Sequence, residues 1–242
     1  MDQPMSYLTR FLWMWSGLGY GSHSIEREIS AARRFVKGGV LFDVGANEGR
    51  YARELLRVYG SALKALHCFE PARELVSRCL KFDDPRVTVN ALALGRSRAS
   101  GELWKAPGSS GLSSLTKRRL DHFDVEMSDR EAVEIVTLDQ YAQANGIASI
   151  DFLKLDVEGH ELDVLIGAGE LLSRRSIKCI QFEFGGCNID TRTYFQDFWY
   201  LLAKEHRFSI HRITPFGPRR VHRYSETDEV FLTTNYVAVL DA

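Results

Sequence analysis

The chain has no surplus of charge of either sign. Lys and Arg total 31 against 32 for Asp and Glu, a formal net charge of −1, so there is no basic excess to draw a nucleic-acid partner. Cysteine is scarce: Cys68, Cys79, Cys179 and Cys187 form no CxxC pair and no metal-type spacing, and they read as reduced thiols of a cytoplasmic protein. The N-terminal apolar run from Phe11 to Tyr20, broken by Ser16 and Gly17, falls short of the roughly 20 residues of a membrane span. It also lacks the basic flank of a signal peptide, since Arg10 alone precedes it and Asp2 offsets that charge. Residues 1–24 are therefore expected to form an aromatic helical segment that packs on the domain or covers a substrate cleft. Internal repeats and long linkers are missing too.

What is present is ordinary globular composition, 45% hydrophobic and 26% charged over 242 residues, enough for one α/β domain. Ile25, Ile29, Ala32 and Val36 recur on one helical face, and "KGG" closes that helix before the apolar strand "VLFDV". A helix from about Arg50 puts Ala52, Leu55, Leu56 and Tyr59 inward and stops at Gly60. "LKALHCF" is a second strand, and Pro71 suits the first turn of the next helix, whose inner face carries Ala72, Leu75, Val76, Cys79 and Leu80. "RVTVNALALG", "DFLKLDV", "IKCIQFEF" and "YVAVL" read as further strands, and "TYFQDFWYLLAKEH" as a helix. Alternating strands and helices predict a mostly parallel, doubly wound sheet in a single domain over 25–242, with inserted short strands around 99–143.

The densest motif is "LFDVGANEGRYA", where a strand meets a glycine turn and a helix. Ligands of such sheets bind beyond the carboxyl ends of the strands, so Gly45, Ala46, Asn47 and Gly49 are candidate cofactor-binding residues. The glycine spacing does not make the GxGxxG of a dinucleotide fold. Asp43, at the mouth of the loop, would repel a diphosphate but attract the ammonium and sulfonium of S-adenosylmethionine. Glu70, which with Pro71 closes the second strand, is placed to accept hydrogen bonds from ribose hydroxyls. Asn90 and Ala91, closing the third strand, are the candidates to reach adenine.

In "DFLKLDVEGHELDVL", Lys154, Asp156 and Glu158 share a face if the strand continues that far, and Glu183 ends at the same sheet edge, where it could meet Asp156. Ionisable residues on an apolar strand are expensive in a core and useful at a site. Asp156 is the first candidate for acceptor binding or base catalysis, His160 the alternative, with Lys154 and Glu183 beside them. Asp156, Glu158 and Glu183 also offer oxygen ligands for Mg²⁺, which their spacing does not require. Arg219, Arg220, His222 and Arg223 form a basic cluster that would suit an acidic acceptor such as a nucleotide-sugar, or a solvated loop.

Taken in order, "LFDVGANEGRYA", "CFEP", "NALALG", "GLSSL", "VTLDQY" and "IDFLKLDVEGHELDVLIGA" resemble the FkbM family of S-adenosylmethionine-dependent methyltransferases over roughly residues 36–185. The resemblance implies a Rossmann-like class I methyltransferase fold, a doubly wound seven-stranded sheet with an antiparallel last strand. It also implies O-methylation, usually of hydroxyls on sugars or on secondary metabolites and similar natural products. Under it, Asp43, Gly45, Asn47 and Gly49 match the cofactor loop, Glu70 the ribose position, and Lys154, Asp156, Glu158 and Gly159 the motif after the fourth strand. The stretches 1–24, 104–124 and 186–224, irregular or unmatched, are expected to shape the acceptor pocket. A nicotinamide-dependent oxidoreductase and a non-catalytic cofactor-binding subunit stay open as alternatives, as does a homo-oligomer.

Overall fold

The computed structural model describes residues 13, 15–19, 24–79 and 81–241. Along the chain the strands are β1 (Gly39–Val44), β2 (Leu63–Phe69), β3 (Val87–Asn90), β4 (Ala93–Leu94), β5 (Ala99–Ala106), β6 (Ser109–Ser114), β7 (Asp129–Val136), β8 (Phe152–Leu155), β9 (Cys179–Phe184), β10 (Phe208–Thr214), β11 (Gly217–Arg220) and β12 (Thr234–Leu240). The main sheet runs β11-β10-β12-β9-β8-β1-β2-β3. β1, β2, β3, β8 and β9 pair in parallel, and β12 lies antiparallel between β9 and β10. This is the doubly wound sheet expected from the alternation of elements.

The count differs from the expected seven strands. "GPRR" pairs antiparallel with β10 as an eighth strand on the sheet edge. β10 itself escapes a pattern reading because His211 and Arg212 interrupt its apolar run. "RVTVNALALG" is not one strand: β3 stops at Asn90, and β4 joins a separate sheet ordered β4-β7-β5-β6. Pro71 precedes the helix that begins at Arg73 and is not part of its first turn. Of the N-terminal segment only residues 13, 15–19 and 24 are described; Trp15 meets Phe216 edge-on at 4.8 Å. Leu80, expected on an inner helix face, lies outside the described residues.

Each strand of the sheet centre alternates between two apolar faces. α1 (Ile25–Ala32) and α2 (Arg50–Tyr59) cover the face that carries Leu41, Phe152, Cys179 and Val237. The other face carries Phe42, Leu153, Ile180 and Phe182 beneath α4 (Leu138–Ala144), α5 (Glu161–Ile166) and α8 (Phe195–Phe198). α3 (Arg73–Cys79), α6 (Gly169–Ser173) and α7 (Cys187–Thr191) are further helices among the described residues. α8 continues as a π-helix over Trp199–Glu205. α1 forms where the sequence supplies a Ser24 N-cap accepting from the Arg27 N–H, acidic Glu26 and Glu28 in the first turn, and the buried Ile29 and Ala32.

One line of residues breaks the apolar rule. Asp43 on β1 is in register with Lys154 on β8, and Lys154 with Gln181 on β9. All three sit under α1 and α2 with 0%, 4% and 1% exposure. Lys154 Nζ lies 3.1 Å from Asp43 and 3.3 Å from Asp156, and 4.9 Å from the centre of the Tyr51 ring. Tyr51 donates its hydroxyl to Gln181 at 2.9 Å, and Gln181 donates its amide to Glu28 at 2.7 Å. Burial works against the ammonium, yet Asp43 and Asp156 hold Lys154 above the ordinary lysine range.

Removing one partner of a buried ion pair leaves an uncompensated charge. Lys154→Met is therefore expected to lower the unfolding free energy by about 3–5 kcal/mol. Adding Asp43→Asn should recover more than half of the loss. Urea denaturation of the single and double variants checks both statements.

Candidate active site

Two loops at the carboxyl edge of the sheet make the site, and interior carboxylates shape both. In the loop after β1, Gly45 has φ +80°, and a Cβ there would lie 1.8 Å from the Asp156 carbonyl oxygen. Only glycine lets this backbone press against the loop after β8. Gly45 and Ala46 donate their N–H groups to the Phe69 carbonyl at 3.0 and 2.9 Å. Asn47, with φ 50°, donates its N–H to one oxygen of Glu70 at 2.8 Å, and Ala72 donates to the other at 2.9 Å. Glu70 thus ties the loop after β1 to the loop after β2.

The loop after β8 has the same kind of organiser. Glu161, fully buried, accepts the N–H groups of Val157 at 2.9 Å and Gly159 at 3.3 Å. Across this loop lies the second sheet. Ser114 donates to the Glu158 carbonyl at 2.8 Å, Thr116 meets His160 Nε2 at 3.0 Å, and Arg118 pairs with Glu158 and, at 3.7 Å, with Asp190.

Two cavities open between these elements, of about 120 and 470 Å³. The first is lined by Glu70, Asn47, Leu92, Leu94, Leu103 and Leu115 among others, and by no lysine or arginine among the described residues. The second is lined by Glu28, Tyr51, Lys154, Glu183 and Asn235, with the Glu48–Arg50 pair at its rim. They meet at Gly45, Asn47, Gly111 and Asp156, which line both.

The structure redistributes the residues singled out in the sequence. Asp43 is not at the loop mouth: it is fully buried beneath the loop, lines neither cavity, and is spent on Lys154. Gly49 caps α2 and lines neither cavity; Ala46 lines the second and Pro71 the first. Asn90 turns its amide onto the Cys68 carbonyl at 3.0 Å; Leu92 to Leu94, not Asn90 and Ala91, face the first cavity. β8 ends at Leu155, so Asp156 and Glu158 leave the strand and share no face with Lys154. His160 lines the first cavity with both ring nitrogens engaged, Nε2 by Thr116 and Nδ1 by Asp163 at 2.9 Å.

Asp156, Glu158 and Glu183 are not gathered as metal ligands. Glu158 is turned to Arg118, and among the described residues no group of three or more His, Cys, Asp or Glu side chains is disposed to hold a metal ion. Arg219, Arg220, His222 and Arg223 line neither cavity, and Arg219 and Arg220 are exposed on the edge strand. From the stretches expected to shape an acceptor pocket, Gly111 reaches the second cavity and residues 186–224 do not.

Sequence reading passed over Glu28, Tyr51, Gln181, Glu161 and Arg118. Two of them left a signal. Glu28 stands three residues after Ile25 and four before Ala32, which places a carboxyl on the buried stripe of α1. Gln181 lies between Cys179 and Glu183 on one face of β9, making two polar residues in sequence on that face.

The carboxyls of this region hold their protons tightly. Burial, then Asp156, pushes Glu28 up to about 8 and Glu158 up to about 8, and raises Glu183 well above the usual carboxylate range. The folded state therefore binds more protons than the unfolded state between the ordinary glutamate value of 4.5 and about 8. Stability is then fully present at the acid end and lost as pH rises through that window. Lys154 is charged in both states there and adds no slope. The midpoint of thermal unfolding is expected to rise as pH is lowered from 8 to 6. Glu28→Gln should flatten that rise, which calorimetry at several pH values would read out.

Residues 43–210 match the methyltransferase FkbM domain. The 2-O-methyltransferase NoeI of Sinorhizobium fredii is 29% identical over 146 residues, covering 56% of this chain and 59% of that protein. Methyltransferase sdnD of Sordaria araneosa is 31% identical over 158 residues, 54% of this chain and 60% of that one. The hexuronic acid methyltransferase AglP of Haloferax volcanii is 26% identical over 147 residues, 60% and 56% respectively. The chain thus spans little more than half the length of these curated relatives. A solved FkbM methyltransferase from Methylobacillus flagellatus shares 18% identity over 84% of this chain and 43% of its own, with a TM-score of 0.49.

Proposed function

This chain belongs to the methyltransferase FkbM family, and from that membership we propose that it transfers a methyl group from S-adenosylmethionine to a hydroxyl of a sugar or secondary metabolite. One observation supports this reading above others: a cofactor-type cavity with no lysine or arginine among its described lining residues joins a carboxyl-rich second cavity at Asp156. A diphosphate would need positive partners that the first cavity does not offer, whereas a phosphate-free nucleoside fits its apolar walls and its carboxylate. Relatives named as a 2-O-methyltransferase and a hexuronic acid methyltransferase support a hydroxylated acceptor of carbohydrate type.

Bound S-adenosylmethionine supplies an electrophilic methyl on a sulfonium. The residues of the chain supply the rest. Glu70 has one lone-pair site on each oxygen taken by a backbone N–H and keeps capacity for ribose hydroxyls. Asn47 and Gly45 set the backbone that the cofactor lies against. Asp156, on the boundary of both cavities, orients the acceptor hydroxyl in line with the methyl and receives its proton. Lys154, 3.3 Å away, pairs with that carboxylate and fixes its position. Glu183, on the adjoining strand and without a protein partner among the described residues, binds the acceptor from the far side.

Two measurements test the assignment. Titration calorimetry is expected to show binding of S-adenosylhomocysteine and none of NAD; the reverse result removes the methyltransferase reading in favour of an oxidoreductase. Glu70→Ala should weaken cofactor binding by roughly tenfold or more, as the loss of charge-assisted hydrogen bonds predicts, with the fold retained. For Asp156→Asn, cofactor binding should stay and the rate of methyl transfer should fall by a factor on the order of 10²–10⁴. Turnover at the wild-type rate would take the base role away from Asp156.

A further inference from the structure

The charges around the second cavity restrict what enters it. Four carboxyl residues line it, Glu28, Glu48, Asp156 and Glu183, against two cations, Arg50 and Lys154. Both cations are already committed. Arg50 pairs with Glu48 at 3.2 Å, and Lys154 is shared between Asp43 and Asp156. Glu28 is bound on one oxygen by the neutral amide of Gln181. Glu183, opposite Asn235 in the strand register, meets no cation among the described residues. Among the described residues, the cavity therefore holds two carboxyls with no counter-charge and no cation left for an anion.

Resting on the methyltransferase reading above, we infer that the acceptor presents hydrogen-bond donors and no anionic group to this cavity. It is an amino sugar or a neutral polyol, and not a uronic acid or a phosphorylated sugar. Glu28 and Glu183 are its specificity-determining residues: they accept from an ammonium or hydroxyl next to the reacting oxygen. A carboxylate or phosphate in the same place would be desolvated with no uncommitted cation beside it among the described residues, which costs far more than a missing contact. Asp156 stays the residue at the reacting atoms; Glu28 and Glu183 act on which molecule is held there. The exposed basic cluster at Arg219 and Arg220 lies outside the cavity and does not change this balance.

The test uses the full chain saturated with S-adenosylhomocysteine, whose binding is measured first. Failure of that step would remove the methyltransferase reading itself. Given binding, D-glucosamine, methyl glucoside and D-glucuronate at equal concentration are compared by thermal shift and by titration. The expected order of affinity is glucosamine first, the neutral glycoside second and glucuronate last, with roughly a tenfold or larger gap between the extremes. Glu28→Gln and Glu183→Gln, which keep size and hydrogen bonding, should shrink that gap while S-adenosylhomocysteine still binds. Glucuronate binding as well as or better than glucosamine, an equal response to all three, or no response to any would overturn the inference. So would a gap that survives in the double variant.

Discussion

The Lys154 ammonium is the charge around which this protein is built. A lysine in the middle of an apolar sheet is tolerable only with compensation in reach. Asp43 provides it from β1 and Asp156 from the loop after β8. The ring of Tyr51 closes over it from α2, and Tyr51 in turn engages Gln181 and, through it, Glu28 on α1. One buried cation thereby fixes the relative positions of three strands and two helices. It also sets the charge of the site: because Asp43 takes part of the lysine's field below the loop, the cavity above remains acidic.

A second theme is the use of carboxylates as folding devices. Glu70 and Glu161 are both buried, and each gathers N–H groups from residues that have left regular structure. Those N–H groups have no strand or helix partner, and leaving them bare would be costly. A carboxylate accepts several donors at once, so one side chain organises a whole loop. The same two loops carry the residues facing the cavities. Shape and chemistry at the site therefore come from the same few acids.

Much of the fold was legible in the chain. "LKALHCF" coincides with β2 residue for residue, because an apolar run bounded by a glycine turn and Pro71 has few other solutions. The glycine turn after β1 and the place of Asp156 at the carboxyl edge of the sheet were legible for similar reasons of spacing. Asp43 was misplaced because sequence shows that a carboxylate ends a strand, not which side of the sheet it faces or what lies in register with it. The Asp43–Lys154–Gln181 row joins residues more than a hundred positions apart and exists only once β1, β8 and β9 are adjacent. β10 was missed because His211 and Arg212 break its apolar run, and β11 because an edge strand, half in water, need not be apolar.

The seam between the second sheet and the loop after β8 bears on the traffic of molecules through the site. Ser114, Thr116 and Arg118 fasten in succession to Glu158 and His160, directly over the wall of the first cavity. Any molecule that passes this wall meets side chains already fastened to one another, so the width of the passage there depends on whether those few contacts hold.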